Sequence, residues 1–451
     1  MLDSTDTICA LATPNGIGAI GMIRLSGKDA WRIVSMVFSK QLTDGKTHTA
    51  HFGTISNKEG ELIDEVLVTI FQEGKSSTGE QSAEISCHGS PFIQQQIILA
   101  LLQSGCRLAK PGEFTQRAFL NGKMDLSQAE AVADLIASQS KSAHNIALNQ
   151  LRGGFSSELK ELREKLINFA SLVELELDFG EEDVEFADRT ELKKLVSDVL
   201  LYIKRLAKSF ELGNAIKNGV PVAIVGAPNT GKSTLLNQLL GDERAIVSNI
   251  EGTTRDVIEE TLNIDGILFR LIDTAGIREG AQEIEAMGIE RSLEKIKQAT
   301  IVLCLADGSN AESVQEVLAW TNELKIKYPD KTILLVVNKI DINSSSTEVG
   351  IHISAKHGNN IDALKQTLVE TVKGDFNLAD ETIVSNVRHY DALVKTAEAL
   401  DKANEGLETG VTGDFIAMDI RQAMFELGTI TGDISTDDLL GNIFSKFCIG
   451  K

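Results

Sequence analysis

The stretch Val222–Leu235, VAIVGAPNTGKSTL, constrains this chain more than any other. An apolar run, Val222–Val225, leads into Gly226, Gly231, Lys232 and Ser233 at G-x-x-x-x-G-K-S spacing, and a helical pattern follows over Ser233–Leu240. A nucleotide's phosphates need many donors at close range. Glycines let backbone N–H groups curl around them, and the helix N-terminus adds partial positive charge. Lys232 reaches the outer phosphates and the Ser233 hydroxyl joins Mg²⁺. Asn229, Thr230 and Thr234 complete the expected contacts of this loop. A Gly-rich turn alone would say little; the full pattern between a strand and a helix is specific.

Three later motifs choose the nucleotide, and they come in the right order. Asp273, Thr274, Ala275 and Gly276 follow the apolar run Leu268–Ile272, where a strand-end carboxylate holds Mg²⁺ through water. Asn338, Lys339, Ile340 and Asp341 end the strand pattern Ile333–Val337. The Asp341 carboxylate can accept hydrogen bonds from guanine N1–H and the 2-amino group. Adenine offers no such donor pair, and a buried carboxylate left unpaired is strongly penalised. Ser354, Ala355 and Lys356 then end Gly350–Ile353 and can offer a backbone N–H to guanine O6. The motifs imply GTP.

At 451 residues the chain is long enough for about three domains of roughly 150 residues. Its net charge of −21 argues against wrapping nucleic acid over the whole surface, leaving a local basic patch or a basic partner. The five cysteines, at 9, 87, 106, 304 and 448, lie in no C-x-x-C pair, so neither a disulfide framework nor a zinc site is indicated. No basic-then-apolar leader and no apolar run near ~20 residues is present, and the expectation is a reduced, cytoplasmic protein.

Residues 1–120 read as an α+β domain. Strand patterns cover Thr7–Ala12, Ala19–Leu25, Val66–Phe71 and Ala83–Cys87, with helices at Lys28–Val37 and Pro91–Ser104. Arg24 and Glu84, taken alone, read as surface charges on strands. Cys87 and His88 point to opposite faces of one strand, which argues against a thiolate pair. From Asp125 a helical period runs through Leu126, Ala129, Val132, Ala133 and Ile136, and resumes from Leu151 through Phe155, Leu159, Leu162, Leu166, Phe169 and Val173. The acidic run Phe179–Glu185 reads as a solvated link rather than a cation site. A single helix, Leu192–Asn214, is expected to lead into the P-loop strand. Helices return at Asn386–Asn404, Asp414–Leu427 and from Asp437, so the nucleotide domain looks inserted between two helical halves.

Taken together these residues resemble the MnmE, or TrmE, family of tRNA modification GTPases. The resemblance spans the chain: ATPNGIGAIGMIRLSG near the start, PGEFTQRAFLNGKMDLSQAEAVADLI at 111–136, the GTPase motifs, and the closing Phe447-Cys448-Ile449-Gly450-Lys451. It implies a multidomain α/β protein: a folate-binding, dimerising α+β domain at 1–120, a discontinuous all-helical domain at 121–216 and 376–451, and an inserted Ras-like GTPase domain at 217–375. That domain would have a mostly parallel sheet with helices on both faces. It implies action with the flavoprotein MnmG, as a homodimer within a hetero-tetramer, on the wobble uridine of certain tRNAs. An aminomethyl-type group would be added at carbon 5, with the one-carbon unit from 5-formyl- or methylene-tetrahydrofolate. The implied folate contacts are Arg24, Glu84, Lys123 and Lys451, and Cys448 becomes a candidate catalytic residue. Folate carboxylates and a pterin edge reward such partners.

Hydrolysis needs a water positioned, and the residue after Asp273-x-x-Gly276 is Ile277, which cannot hydrogen-bond it. The next loop offers Glu279, Glu283 and Glu285; the family resemblance selects Glu285. Asn229 has an amide oxygen able to ligate a monovalent cation in place of an arginine finger. The resemblance implies K⁺ on Asn229, the Ser248 and Ile250 backbone and Thr253. It also implies that the loop Ser248–Asp256, whose Asn249, Glu251 and Gly252 join the GTP contacts, is the moving switch, with Thr254 joining Ser233 on Mg²⁺; Arg255 is the rival charge. Two other readings stay open. One is a ribosome-assembly GTPase acting as an RNA-binding switch; the other is a folate-dependent one-carbon transferase merely regulated by GTP.

Overall fold

The structure is a computed structural model. It describes residues 6–42, 46–178, 189–241, 260–272, 293–342, 349–374, 376 and 381–450, with the backbone alone at 172–178 and 189. The acidic run Phe179–Glu185 lies outside the described residues. None of the described helices is long and apolar enough to cross a membrane.

The first sheet has six strands: β1 (Ile8–Leu11), β2 (Ile20–Ser26), β3 (Thr49–Ser56), β4 (Leu62–Phe71), β5 (Ser82–His88) and β6 (Arg107–Leu108), ordered β3-β4-β5-β2-β1-β6. Alternation along the strands decides its faces. Ile23, Leu25, Val66, Val68, Ile70, Ala83, Ile85 and Cys87 point into a core roofed by α1 (Ala30–Val37) and α2 (Pro91–Gln103). A smaller core of Ile8, Ala10, Ala109 and Phe114 seats α3 (Glu113–Leu120). The sequence pattern did not reveal β3. Ile55 is its one fully buried side chain, so this edge strand lacks an apolar alternation.

Five helices follow: α4 (Leu126–Ala137), α5 (Lys141–Leu151), α6 (Gly154–Asp178), α7 (Arg189–Lys208) and α8 (Phe210–Asn218). The expected single helix Leu192–Asn214 is therefore two. Ser209, fully buried, donates its Oγ proton to the Leu206 carbonyl at 2.7 Å and accepts the Val384 N–H at 3.0 Å. That second bond ties in a distant segment. Gly213 is packed so tightly on the same segment that a Cβ would lie 2.1 Å from the Val384 carbonyl oxygen.

The second sheet contains β7 (Val220–Val225), β8 (Glu260–Ile264), β9 (Ile267–Leu271), β10 (Ile301–Asp307), β11 (Thr332–Asn338) and β12 (Ile351–His352), ordered β12-β11-β10-β7-β9-β8. All neighbours pair parallel except β8 with β9. Both faces are buried, as a parallel sheet requires. Ile301, Leu303 and Leu305 of β10 face a core shared with α8, α9 (Lys232–Gly241) and α11 (Ile361–Lys373). Val302, Cys304 and Ala306 face another, under α10 (Ala311–Lys327). Three helices close the chain, α12 (Val387–Thr409), α13 (Gly413–Thr431) and α14 (Asp437–Ser445).

The chain forms two compact units. One comprises residues 1–133, 150–164 and 424–451, and the other 134–149 and 165–423. In the first, Leu126 and Ala129 of α4 pack with Leu440, Ile443 and Phe444 of α14. In the second, α5 turns Ala143 and Ile146 onto the core of the parallel sheet.

Candidate nucleotide site

Ligands of open parallel sheets bind beyond the carboxyl ends of the strands. Here β7, β10 and β11 deliver Gly226, Asp307 and Asn338 to one such edge. The P-loop backbone needs its glycines. Gly226 has φ 153° and a Cβ there would meet the Leu305 carbonyl oxygen at 2.4 Å. At Gly231, with φ 97°, it would meet Asn338 Nδ2 at 2.3 Å. Asn229 also lies at positive φ, 61°, which asparagine tolerates better than most residues, and it is exposed.

Lys232 bends back over the loop, donating to the Gly226 and Ala227 carbonyls at 2.8 and 2.7 Å. Burial, with the Lys295 charge adding to it, pulls its pKa below the ordinary lysine value. An ammonium held on two carbonyls in a partly dry loop is ready to exchange them for phosphate oxygens. Thr230 is buried and its hydroxyl donates to the Ala227 carbonyl at 2.9 Å. Ser233 and Thr234 stand exposed on the first turn of α9.

Asn338 ties the three loops together. It is 2% exposed, donates from Nδ2 to the Thr230 carbonyl at 2.9 Å, and accepts the Ala355 N–H on Oδ1 at 2.9 Å. Asp341 Oδ1 accepts the Ser354 hydroxyl at 2.6 Å, and His357 Nε2 lies 3.6 Å from Oδ2. The Ser354 bond, followed by the nearby His357 and Lys356 charges, lowers the Asp341 pKa. Lys356 is exposed beside it. Lys339, at φ 67°, directs its ammonium to Asp307 Oδ2 at 2.6 Å. Sequence reading missed Asp307; the one signal for it was an Asp-Gly closing the apolar run Ile301–Ala306.

The structure thus brings together Asn229 to Thr234, Asn338 to Asp341 and Ser354 to Lys356. Ser248 to Arg255, with Asn249, Ile250, Glu251, Gly252, Thr253 and Thr254, lie outside the described residues. So do Asp273, Thr274, Ala275, Gly276, Ile277, Glu279, Glu283 and Glu285, and terminal Lys451.

In the first unit, Arg24 and Glu84 face each other across β2 and β5, with Nη2 to Oε1 at 2.8 Å and Nε to Oε1 at 2.9 Å. The guanidinium also lies 5.9 Å from the Phe114 ring centre. Lys123 donates instead to the Gly74 carbonyl at 2.6 Å. The tail returns to this unit: the Gly112 N–H donates to the Cys448 carbonyl at 3.3 Å, and Gly450 presses on the Leu11 carbonyl. Cys448 is exposed. Cys87 is buried, with its thiol pushed up to about 11 chiefly by burial and then by the Asp64 charge, while His88 is exposed and bound to Asp64 at 2.7 Å. The two side chains do not form a dyad.

A P-loop on a mostly parallel sheet, an Asn-Lys-x-Asp strand end and a Ser-Ala-Lys loop define a P-loop protein of the GTPase class. Two family models match the chain: "GTP-binding protein TrmE N-terminus" over residues 7–123 and "MnmE helical domain" over residues 126–448. The chain is 56% identical to the tRNA modification GTPase MnmE of Cytophaga hutchinsonii, covering 99% of this chain and 98% of that protein. It is 54% identical to the protein of the same name from Flavobacterium johnsoniae, over 99% of both chains. Identity to the Bacteroides fragilis protein is 51%, again over 99% of both. Among solved structures, Era in complex with MgGDPNP and nucleotides 1506–1542 of 16S ribosomal RNA is similar over 40% of this chain and 66% of that one. The identity there is 27% and the TM-score 0.26. The chain belongs to the MnmE family.

Proposed function

We propose that this protein is a K⁺-dependent GTP hydrolase of tRNA modification. Acting with the flavoprotein MnmG, it adds a carboxymethylaminomethyl or aminomethyl group to carbon 5 of the wobble uridine of certain tRNAs. The one-carbon unit comes from 5-formyl- or methylene-tetrahydrofolate. The observation that carries the GTP half is the bridge made by Asn338, three residues before Asp341 in the chain, which ties the Thr230 carbonyl of the P-loop to the Ala355 N–H. The name shared by full-length relatives of 50–56% identity supports the tRNA half.

Asp341 accepts the guanine N1–H and 2-amino donors, and the Ala355 region caps O6. Lys232 leaves its two carbonyls for the outer phosphates, and Glu285 orients the attacking water, since Ile277 cannot. The exposed Ser233 hydroxyl on the first turn of α9 suits Mg²⁺, with Thr254 as the second protein ligand. The exposed amide of Asn229 suits K⁺, with Ser248, Ile250 and Thr253. Ions held there would supply positive charge against the charge developing on the transferred phosphoryl group.

In the first unit, Arg24 and Glu84, now paired with each other, would turn a guanidinium and a carboxylate to a folate, joined by Lys123 and, from the tail, by Lys451 and the Cys448 thiol. The domain plan that goes with this reading is 1–120, 121–216 with 376–451, and 217–375. The protein acts in the cytoplasm as a homodimer bound to MnmG. One assay tests the whole: the chain with its flavoprotein, tRNA, tetrahydrofolate and GTP, in K⁺ and in Na⁺, with the wobble nucleoside read by mass spectrometry. Modified nucleoside should form in K⁺ with GTP turnover. A GTPase that turns over without ever modifying the nucleoside would refute the tRNA half.

A further inference from the structure

The Lys339–Asp307 pair joins two strand ends that deliver nucleotide-binding loops. Asp307 closes β10 and pairs in register with Asn338 at the end of β11. The next residue locks the register, because the Gly308 N–H donates to the Asn338 carbonyl at 2.7 Å and a Cβ at Gly308 would meet that oxygen at 2.7 Å. The Asp307 carboxylate divides its work. Oδ1 accepts the Ser309 N–H at 3.0 Å and the Ser309 hydroxyl at 2.6 Å, while Oδ2 takes the Lys339 ammonium at 2.6 Å. Partial burial would raise its pKa, yet the Lys339 and Ser309 bonds hold it below the ordinary aspartate value.

We infer that Asp307 is a positioning residue for guanine-nucleotide binding, holding the Lys339 ammonium so that the lysine stem lies flat along the base opening. The inference rests on the reading that guanine sits beside Asn338–Asp341. Without the carboxylate, this lysine, which follows directly on the Asn338 that bonds the Thr230 carbonyl of the P-loop, would be drawn to phosphate oxygens or to solvent. Its four-carbon stem would leave the base, and ordering it would cost rotamer entropy on every binding event.

The sign of the effect separates this from simple electrostatics. A carboxylate near a triphosphate repels it, so removing the negative charge should by Coulomb's law alone tighten nucleotide binding. Anchoring of Lys339 predicts the opposite.

The test titrates a fluorescent GDP analogue and its GTP counterpart into wild type, Asp307→Asn, Lys339→Ala and the double variant, with melting temperatures recorded for each. Asp307→Asn should weaken both nucleotides by roughly tenfold, the scale of one charge-assisted hydrogen bond, with kcat at saturating GTP within about twofold. In the Lys339→Ala background the same change should add almost nothing, because the coupling lies between these two residues. Asp307→Glu should recover much of the affinity and also serves if the Asn variant fails to fold. Ser309→Ala removes the turn bonds but not the lysine anchor, and should stay within about twofold of wild type. Equal or tighter binding by Asp307→Asn, or losses that add fully in the double variant, overturns the inference. If Lys339→Ala itself binds nucleotide normally, the placement of the base has failed instead.

Discussion

Asn338 and Thr230 are 108 residues apart in sequence and joined by a 2.9 Å hydrogen bond from a side-chain amide to a backbone carbonyl. The same amide accepts the Ala355 N–H, so one small side chain fixes the P-loop and the Ser354–Lys356 loop at once. Its burial makes both bonds obligatory, since water cannot replace them.

Asn338→Ala therefore leaves a buried carbonyl and a buried N–H unpaired, each at about 1–3 kcal/mol. The variant should melt several degrees lower without ligand and bind GTP and GDP far more weakly. Calorimetry and nucleotide titration read the two effects. A variant with unchanged melting temperature would show that the bridge contributes little to the apo fold.

Asp341→Asn should behave differently. Asp341 lies at the rim, and Ser354 can donate to an amide oxygen as it does to the carboxylate. Stability should stay close to wild type, as for surface changes, while guanine loses its acceptor and xanthine gains a donor to its 2-carbonyl. Competition between GTP and xanthosine triphosphate measures this. Unaltered preference would remove Asp341 from the base pocket.

How much of this was legible depended on whether a residue's role is local. The P-loop could be read because Gly226, Gly231, Lys232 and Ser233 act within one turn, and so could the continuous apolar runs that form β7, β9 and β11. Asp307 was hidden because an Asp-Gly pair signals a turn, and nothing in sequence says that Lys339 will reach it. Ser209 keeps a helical backbone, φ −67° and ψ −14°, and nothing local says that its hydroxyl will take the distant Val384 N–H where α7 gives way to α8. The charges Arg107, Glu113 and Arg117 carry no sequence signal of burial, since such residues normally stay at the surface, yet Glu113 and Arg117 are buried and half-buried Arg107 pairs with Glu113.

That set supports the third prediction. Glu113 is fully buried and accepts Arg107 at 2.6 and 2.8 Å, the Lys110 N–H at 2.8 Å and Arg117 at 3.1 Å. Asp6 binds both arginines at 2.5 Å. Burial alone would raise the Glu113 pKa, but these partners hold it below the ordinary 4.5. A lowered carboxylate stabilises the fold above its unfolded pKa and loses that contribution as pH falls through the folded one. Glu113→Gln should destabilise the first unit by about 3 kcal/mol near pH 7, the low end for breaking a buried pair. Its stability curve should start to approach wild type as pH falls below about 4.5 and meet it only under the lowered folded pKa. Parallel curves from pH 7 to 3 would mean the carboxylate is not the group being titrated.

The last prediction concerns the tail. Gly450 has φ 93°, and a Cβ there would meet the Leu11 carbonyl oxygen at 2.2 Å. Leu11 ends β1 and pairs with Ile23, next to the Ala10–Arg24 pair, so the tail is pinned to the sheet that presents Arg24 and Glu84. The Cys448 carbonyl is held by the Gly112 N–H, which leaves the exposed thiol on an anchored segment rather than on a free end. Gly450→Ala meets both a steric clash and a backbone conformation that alanine disfavours, and should lift the last residues from β1 without touching the nucleotide site. Cys448→Ser keeps the anchor and removes the thiol. On the proposed function, both variants should turn over GTP in K⁺ at near wild-type rates and modify the wobble uridine far more slowly. Phosphate release and modified nucleoside are to be measured on the same preparations. Normal modification by the serine variant, with loss confined to Gly450→Ala, would assign the tail a placing role through its backbone and Lys451, and remove the thiol from the chemistry.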